Sequence, residues 1–199
     1  MKVRGKLLFG FGILLAATVV IAIFGIVNLM TVNTSWSNAL EFPNQRYNYL
    51  FHVRYEMMDM RRILFAVVHE AGDATLVANR LNEVNTRRTN ISAHLNSYRE
   101  NLNADNDLAP DRATYLLNRA TQVEEALDAY FTNVADRVFT EAQGGNGREA
   151  YQLVIDGVPA LNAIYVQLDY LFNAATARMN VIAVLLSVRN FSLGSAHPA

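Results

Sequence analysis

The sequence predicts an all-α protein: an N-terminal transmembrane helix followed by an antiparallel up-down-up-down four-helix bundle. Three observations predict it. Residues 7–40 carry no charge. Beyond them, apolar residues recur at alternating spacings of four and three over long stretches, the heptad seam of packed helices. Breakers are scarce: between Ile26 and Gln143 they are Gly72, Pro43 and Pro110. The segments between them are too long for strands and are rich in Ala, Leu, Glu and Arg.

Composition bounds the function. The 199 residues are 52% hydrophobic and 18% charged, against about 25% charged in a typical soluble domain, so apolar residues must be concentrated somewhere. The absence of cysteine excludes a disulfide framework, a thiolate zinc site, iron–sulfur ligation and a Cys nucleophile. Seventeen Lys+Arg stand against eighteen Asp+Glu, which leaves no basic footprint, and nucleic acid is not expected as a partner.

The first element begins behind a basic N-terminus, residues 1–6, with Lys2, Arg4 and Lys6. Residues 7–30, LLFGFGILLAATVVIAIFGIVNLM, are broken by polar side chains at Thr18 and Asn28. A span needs about 20 apolar residues, so this segment reads as a transmembrane helix in contact with membrane lipid. A cleaved signal peptide has a shorter apolar region ending in small residues, whereas residues 19–24 are bulky. No Lys or Arg follows until Arg46, so the positive-inside rule places the N-terminus in the cytoplasm and the rest outside.

Four bundle helices follow within residues 31–178. In the first, residues 43–71, Tyr47, Leu50, Arg54, Met57, Arg61, Leu64 and Val68 fit one seam, and Phe51, Tyr55, Met58 and Phe65 a second stripe. Apolar residues on two faces predict two neighbours. Pro43 is either the first helical residue or a kink in a helix continuous with the span. The second helix has Asp73 as its N-cap and a seam of Val77, Leu81, Val84, Arg88, Ile91, Leu95, Tyr98 and Leu102, ending at the polar turn NADND. The third starts at Pro110 and carries Ala113, Leu116, Ala120, Val123, Leu127, Tyr130 and Val134 as far as Gly144-Gly145-Asn146-Gly147. In the fourth, Asn146 and Glu149 resemble a capping box. Its seam runs Val154, Val158, Leu161, Tyr165, Leu168, Phe172, Ala175, Met179, Ile182 and Leu186, with a kink or break expected near Asp156 because Gly157 and Pro159 fall inside it. Short loops between long helices favour antiparallel neighbours.

Taken together, the LLFGFG span, the DMRRILFAVV helix, ISAHLNSYRE, and the GGNGREAYQLV turn resemble the N-terminal sensory region of bacterial methyl-accepting chemotaxis proteins, of the small four-helix-bundle type, over roughly residues 1–180. The same kind of bundle also precedes histidine kinases and cyclic-dinucleotide enzymes. The resemblance implies a ligand-sensing region of a chemotaxis transducer in the bacterial inner membrane, non-enzymatic, homodimeric through the first helix, and addressed by a small molecule or a binding protein. Such receptors continue into a second span, a HAMP linker and a signalling hairpin. Here the last uncharged run, residues 179–188, is ten residues long and Arg189 follows. Residues 179–199 are therefore expected to be an incomplete second membrane segment and tail of a truncated receptor. A membrane-anchored structural or adaptor bundle is the alternative from another class.

The candidate ligand-binding residues are Arg54, Arg61, Arg62 and Arg88. Arg54 shares a helix face with Arg61 and Arg62 at spacings of seven and eight, and Arg88 occupies a seam position of the next helix. Guanidinium groups at a bundle interface bind carboxylates bidentately. In aspartate-type relatives, helix-one arginines do so across the dimer interface, but their spacing is not matched here, so no residue is carried over. The competing reading is that these arginines snorkel or pair with Glu56, Asp59, Glu83 or Glu124. Tyr47, Tyr49, Tyr55, Tyr98, Tyr130 and Tyr165 could line a pocket, although seam aromatics ordinarily fill cores. None of the four histidines has a Glu three residues before it, so the di-iron bundle motif is absent, and neither a metal nor another cofactor is expected. No catalytic motif is present.

Overall fold

A computed structural model describes the backbone of residues 3–194 and the side chains of residues 11–30 and 41–181. Lys2, Arg4, Lys6, the seam residues Ile182 and Leu186, and the segment from there through Arg189 to the C-terminal tail lie outside the described side chains. Among the described residues there is no strand. The helices are α1 (Val3–His69), α2 (Ala74–Ala104), α3 (Pro110–Tyr130), α4 (Asp136–Gln143), α5 (Gly147–Asp156) and α6 (Val158–Gly194), with a π-helical turn at Phe131–Ala135 between α3 and α4.

The chain divides into two compact units, Met1–Glu41 and Phe42–Ala199. In the first, Phe11–Met30 is long and apolar enough to cross a membrane, with a mean hydropathy of 2.6 and none of its residues buried. Thr18, one of its polar side chains, donates to the Leu14 carbonyl at 2.8 Å, so its hydroxyl is satisfied within the helix. Pro43 lies inside α1, not at its first turn.

The second unit is the bundle. Side-chain contacts pair its helices antiparallel and in sequence. Glu56 meets Arg87 and Asn90 between α1 and α2. Arg99 meets Glu124 between α2 and α3. Arg119 meets Gln167 between α3 and α6, and Tyr47 meets Phe172 to close the ring between α1 and α6. A second contact fixes the direction of each pair, since the numbers rise on one helix as they fall on the other: Arg46 with Asp105, Arg88 with Asp128, Tyr115 with Tyr170 and Arg54 with Asp169. Local chemistry sets the ends. Asp73 accepts from the Thr75 and Leu76 amides at 3.1 Å, and Pro110 opens α3. Gly72, at φ 92°, supplies the left-handed residue that the α1–α2 turn needs.

The inner face of α1 differs from the expected seam. Arg46, Leu50, Val53, Met57, Met60, Leu64 and Val67 are buried at alternating spacings of four and three. Arg54 and Arg61 face outward, because Val53 and Met60 fill the same layers without the cost of burying a charge. The second stripe divides: Phe51, Tyr55 and Met58 are 51, 56 and 60% exposed, while Phe65 is half-buried against the core with its ring 6.4 Å from that of Tyr151. On α6 the buried face is Leu161, Ile164, Leu168, Leu171 and Ala175, with Tyr165 and Phe172 half-buried beside it.

The third bundle helix, expected as one α-helix, contains the π turn. The wider turn holds an extra residue, which buries adjacent pairs, Tyr130 with Phe131 and Val134 with Ala135. The fourth breaks at Gly157, as Gly157 and Pro159 predict. The capping box does not form. Asn146 makes no side-chain cap, and its amide instead donates to Glu141 Oε2 at 2.8 Å.

Candidate functional site

A groove lies between α1 and α6. About 560 Å³ is lined by Tyr47, Phe51, Arg54, Asp169, Phe172, Asn173 and Thr176. The Arg54 guanidinium donates to Asp169 Oδ1 at 2.8 Å and stands 5.4 Å from the centroid of Tyr165. Both charged side chains are about half exposed, so the pair is screened and contributes little to stability. Either partner can therefore exchange the other for a ligand at small cost. The arrangement can hold a carboxylate on Arg54, an ammonium on Asp169 and an apolar group against Tyr47, Phe51 and Phe172. Burial raises the Tyr165 phenol, with Arg54 and Arg61 opposing, so the hydroxyl stays protonated and able to donate.

The four arginines singled out in the sequence do not converge. Arg61 lies 5.7 Å from the Phe65 ring. Arg62 pairs with Asp59 at 2.9 Å on its own helix. Arg88 lies over Phe131 at 4.6 Å and 3.4 Å from Asp128. It lines a separate cavity of about 150 Å³ between α2 and α3 that also carries Glu124. Two carboxylates beside one guanidinium make that cavity a poor place for an anion. The tyrosines also divide: Tyr98 and Tyr130 are core, and burial pushes the Tyr130 phenol up to about 12.

A charged layer at one end of the seam is not among the residues that the sequence reading selected. Asp105, just past the end of α2, is bound by Arg46 of α1 and by Arg178 of α6, whose Nη1 is 3.3 Å from Oδ2. Arg46 Nε also donates to Asn101 Oδ1 at 2.8 Å. Arg46 and Asp105 are both buried. Burial holds the Arg46 guanidinium below its ordinary value, Asp105 pulls it back up, and Arg178 pushes it down. The signal lies in the register. Arg46 continues the α1 core spacing backward from Leu50, Asp105 continues Tyr98 and Leu102, and Arg178 continues Leu171 and Ala175.

Residues 1–177 match the model of a family described as a four helix bundle sensory module for signal transduction. The chain belongs to that family. The match takes in the apolar helix and nearly all of the bundle, and it agrees with the resemblance to the sensory region of methyl-accepting chemotaxis proteins. No curated protein and no solved structure matches. In this sensory module the α1/α6 groove joins opposite charges to aromatic walls, and the charged layer ties α1, α2 and α6 together. Among the described residues, no group of three metal-ligating side chains forms.

Proposed function

We propose that the module is the extracytoplasmic ligand-sensing region of a membrane-anchored chemotaxis transducer. Phe11–Met30 crosses the bilayer. Lys2, Arg4 and Lys6 keep the N-terminus in the cytoplasm, and the bundle stands outside as a binder, not a catalyst. The α1/α6 groove carries this reading: Arg54 and Asp169 set opposite charges among aromatic walls in a bundle of a sensory family. Its ligand is a small molecule with a carboxylate for Arg54 and an apolar or amino group beside it. A second copy packs on the exposed α1 stripe of Phe51, Tyr55 and Met58. Phe51 also lines the groove, so occupancy and dimer contact share a side chain.

The test is thermal unfolding of the full chain in detergent against amino acids, organic acids and aromatic acids. A ligand at 100 times its Kd adds about 2.7 kcal/mol of stability, so a carboxylate ligand raises the melting temperature. Arg54→Ala abolishes that rise and leaves helicity intact. An equal rise in wild type and variant overturns the assignment of Arg54. If no compound raises the melting temperature, the adaptor bundle is favoured, which would meet a protein partner through the exposed α1 stripe.

A further inference from the structure

Three arginines face one cavity at the charged end of the seam. About 280 Å³ is lined by Arg46, Arg112 and Arg178, with Leu108, Leu116 and Val181 among the apolar walls. No carboxylate lines it. Asp105, which binds two of these arginines, is already engaged. It accepts from Arg46, from Arg178 at 3.4 Å and from the Asp107 amide at 3.1 Å. Two guanidiniums share that one carboxylate, and Arg112 brings a third positive charge, its guanidinium 5.6 Å from the Tyr115 ring. The nearby Tyr98 phenol is held protonated by burial, so it offsets none of this charge. Asp107 and Asp111 are exposed to solvent.

We infer that this cavity is a phosphate site held by Arg46, Arg112 and Arg178. Positive charge in excess of carboxylate, partly out of water, favours a dianion. Guanidinium groups brought from three helices also surround the oxygens of a tetrahedral phosphate better than the flat pair of a carboxylate. The phosphate is either a free ion or the monoester headgroup of phosphatidic acid, which can carry the same double charge and whose alkyl part would lie against Leu108, Leu116 and Val181. The site is separate from the α1/α6 groove and shares no residue with it.

The experiment uses the full chain in dodecyl maltoside, which contains no phosphate. Calorimetric titration with inorganic phosphate reads the free ion, and native mass spectrometry with added phosphatidic acid reads the lipid. Saturable phosphate binding or lipid retention is expected, weakened at least tenfold in both Arg112→Gln and Arg178→Gln. Arg112 lies outside the buried Arg46–Asp105 pair, so its variant keeps the fold, as its melting curve checks. Arg54→Ala leaves binding unchanged, which separates this site from the groove. Phosphatidic acid that blocks the phosphate titration identifies the headgroup as occupant, and a titration unaffected by it identifies the free ion. If neither probe binds, or if binding is equal in wild type and both glutamine variants, the inference is overturned.

Discussion

A Cβ placed on Gly157 would stand 2.7 Å from Cγ1 of Val134. The break between α5 and α6 thus packs directly on the π turn of the neighbouring helix, with no room for a side chain between them. Gly157→Ala forces a shift in a close-packed interior, which costs about 1–3 kcal/mol. The melting temperature followed by far-UV circular dichroism should fall by several degrees. Adding Val134→Ala should recover part of the loss relative to Val134→Ala alone. An unchanged melting temperature in Gly157→Ala would show that the contact relaxes freely.

Arg46 and Arg62 both pair with aspartates but in opposite surroundings. Arg46 is buried against Asp105, and its removal leaves a buried carboxylate without its main partner. Losses of this kind run to about 3–5 kcal/mol. The Arg62 side chain is exposed beside Asp59, and such pairs contribute up to about 1 kcal/mol. Thermal unfolding of Arg46→Ala and Arg62→Ala should therefore separate widely, and similar destabilisation of the two would contradict the buried layer.

The start of α2 depends on one side chain. Asp73 accepts from two backbone amides that have no partner within the helix. Asp73→Ala should lower stability by about 1 kcal/mol, while Asp73→Ser should restore most of it. Full stability in the alanine variant would place the cap elsewhere.

Protonation of His94 should weaken the fold. Burial holds its imidazole below the ordinary value, and His52 adds to the effect while Glu56 opposes it. The His52 and His94 rings stack with centroids 4.9 Å apart. In the unfolded chain the imidazole gains its proton near about 6.5. As pH falls, the unfolded state therefore takes up the proton first and the native state loses stability. That contribution is fully present above the unfolded value and is lost as pH falls through the native one. Between about pH 7.5 and 5.5, bracketing the free imidazole, the melting temperature should fall less in His94→Asn than in wild type. Parallel curves would remove His94 as the cause.

What could be read from the sequence was local. Asp73 as a cap, Pro110 as a helix start and the break at Gly157 each follow from the chemistry of one or two residues, and the structure places all three as expected. The phase of α1 was not readable. Positions 53 and 54, like 60 and 61, both satisfy a four-three spacing, and the stripe through Phe51 and Tyr55 is as apolar as the buried face. The π turn was hidden for a related reason: Tyr130, Phe131, Val134 and Ala135 are compatible with either register. Asp169, the partner of Arg54, lies one residue beyond the seam residue Leu168 and looks like any solvated charge. Arg46, Asp105 and Arg178 stand near segment ends, where a charge ordinarily marks a turn or cap. Only the structure's own core register shows that they continue the inner face.

That charged layer has a mechanical consequence. Apolar side chains of one helix fit similar holes one turn further along its neighbour, so apolar layers alone do not choose between such positions. A guanidinium–carboxylate contact is directional and short-ranged, so it defines a position. Asp105 is therefore a common datum for α1 and α6: it sets the axial zero of both helices through Arg46 and Arg178. Any ratchet of α6 along its axis must either carry Asp105 with it or give Arg178 a new anion.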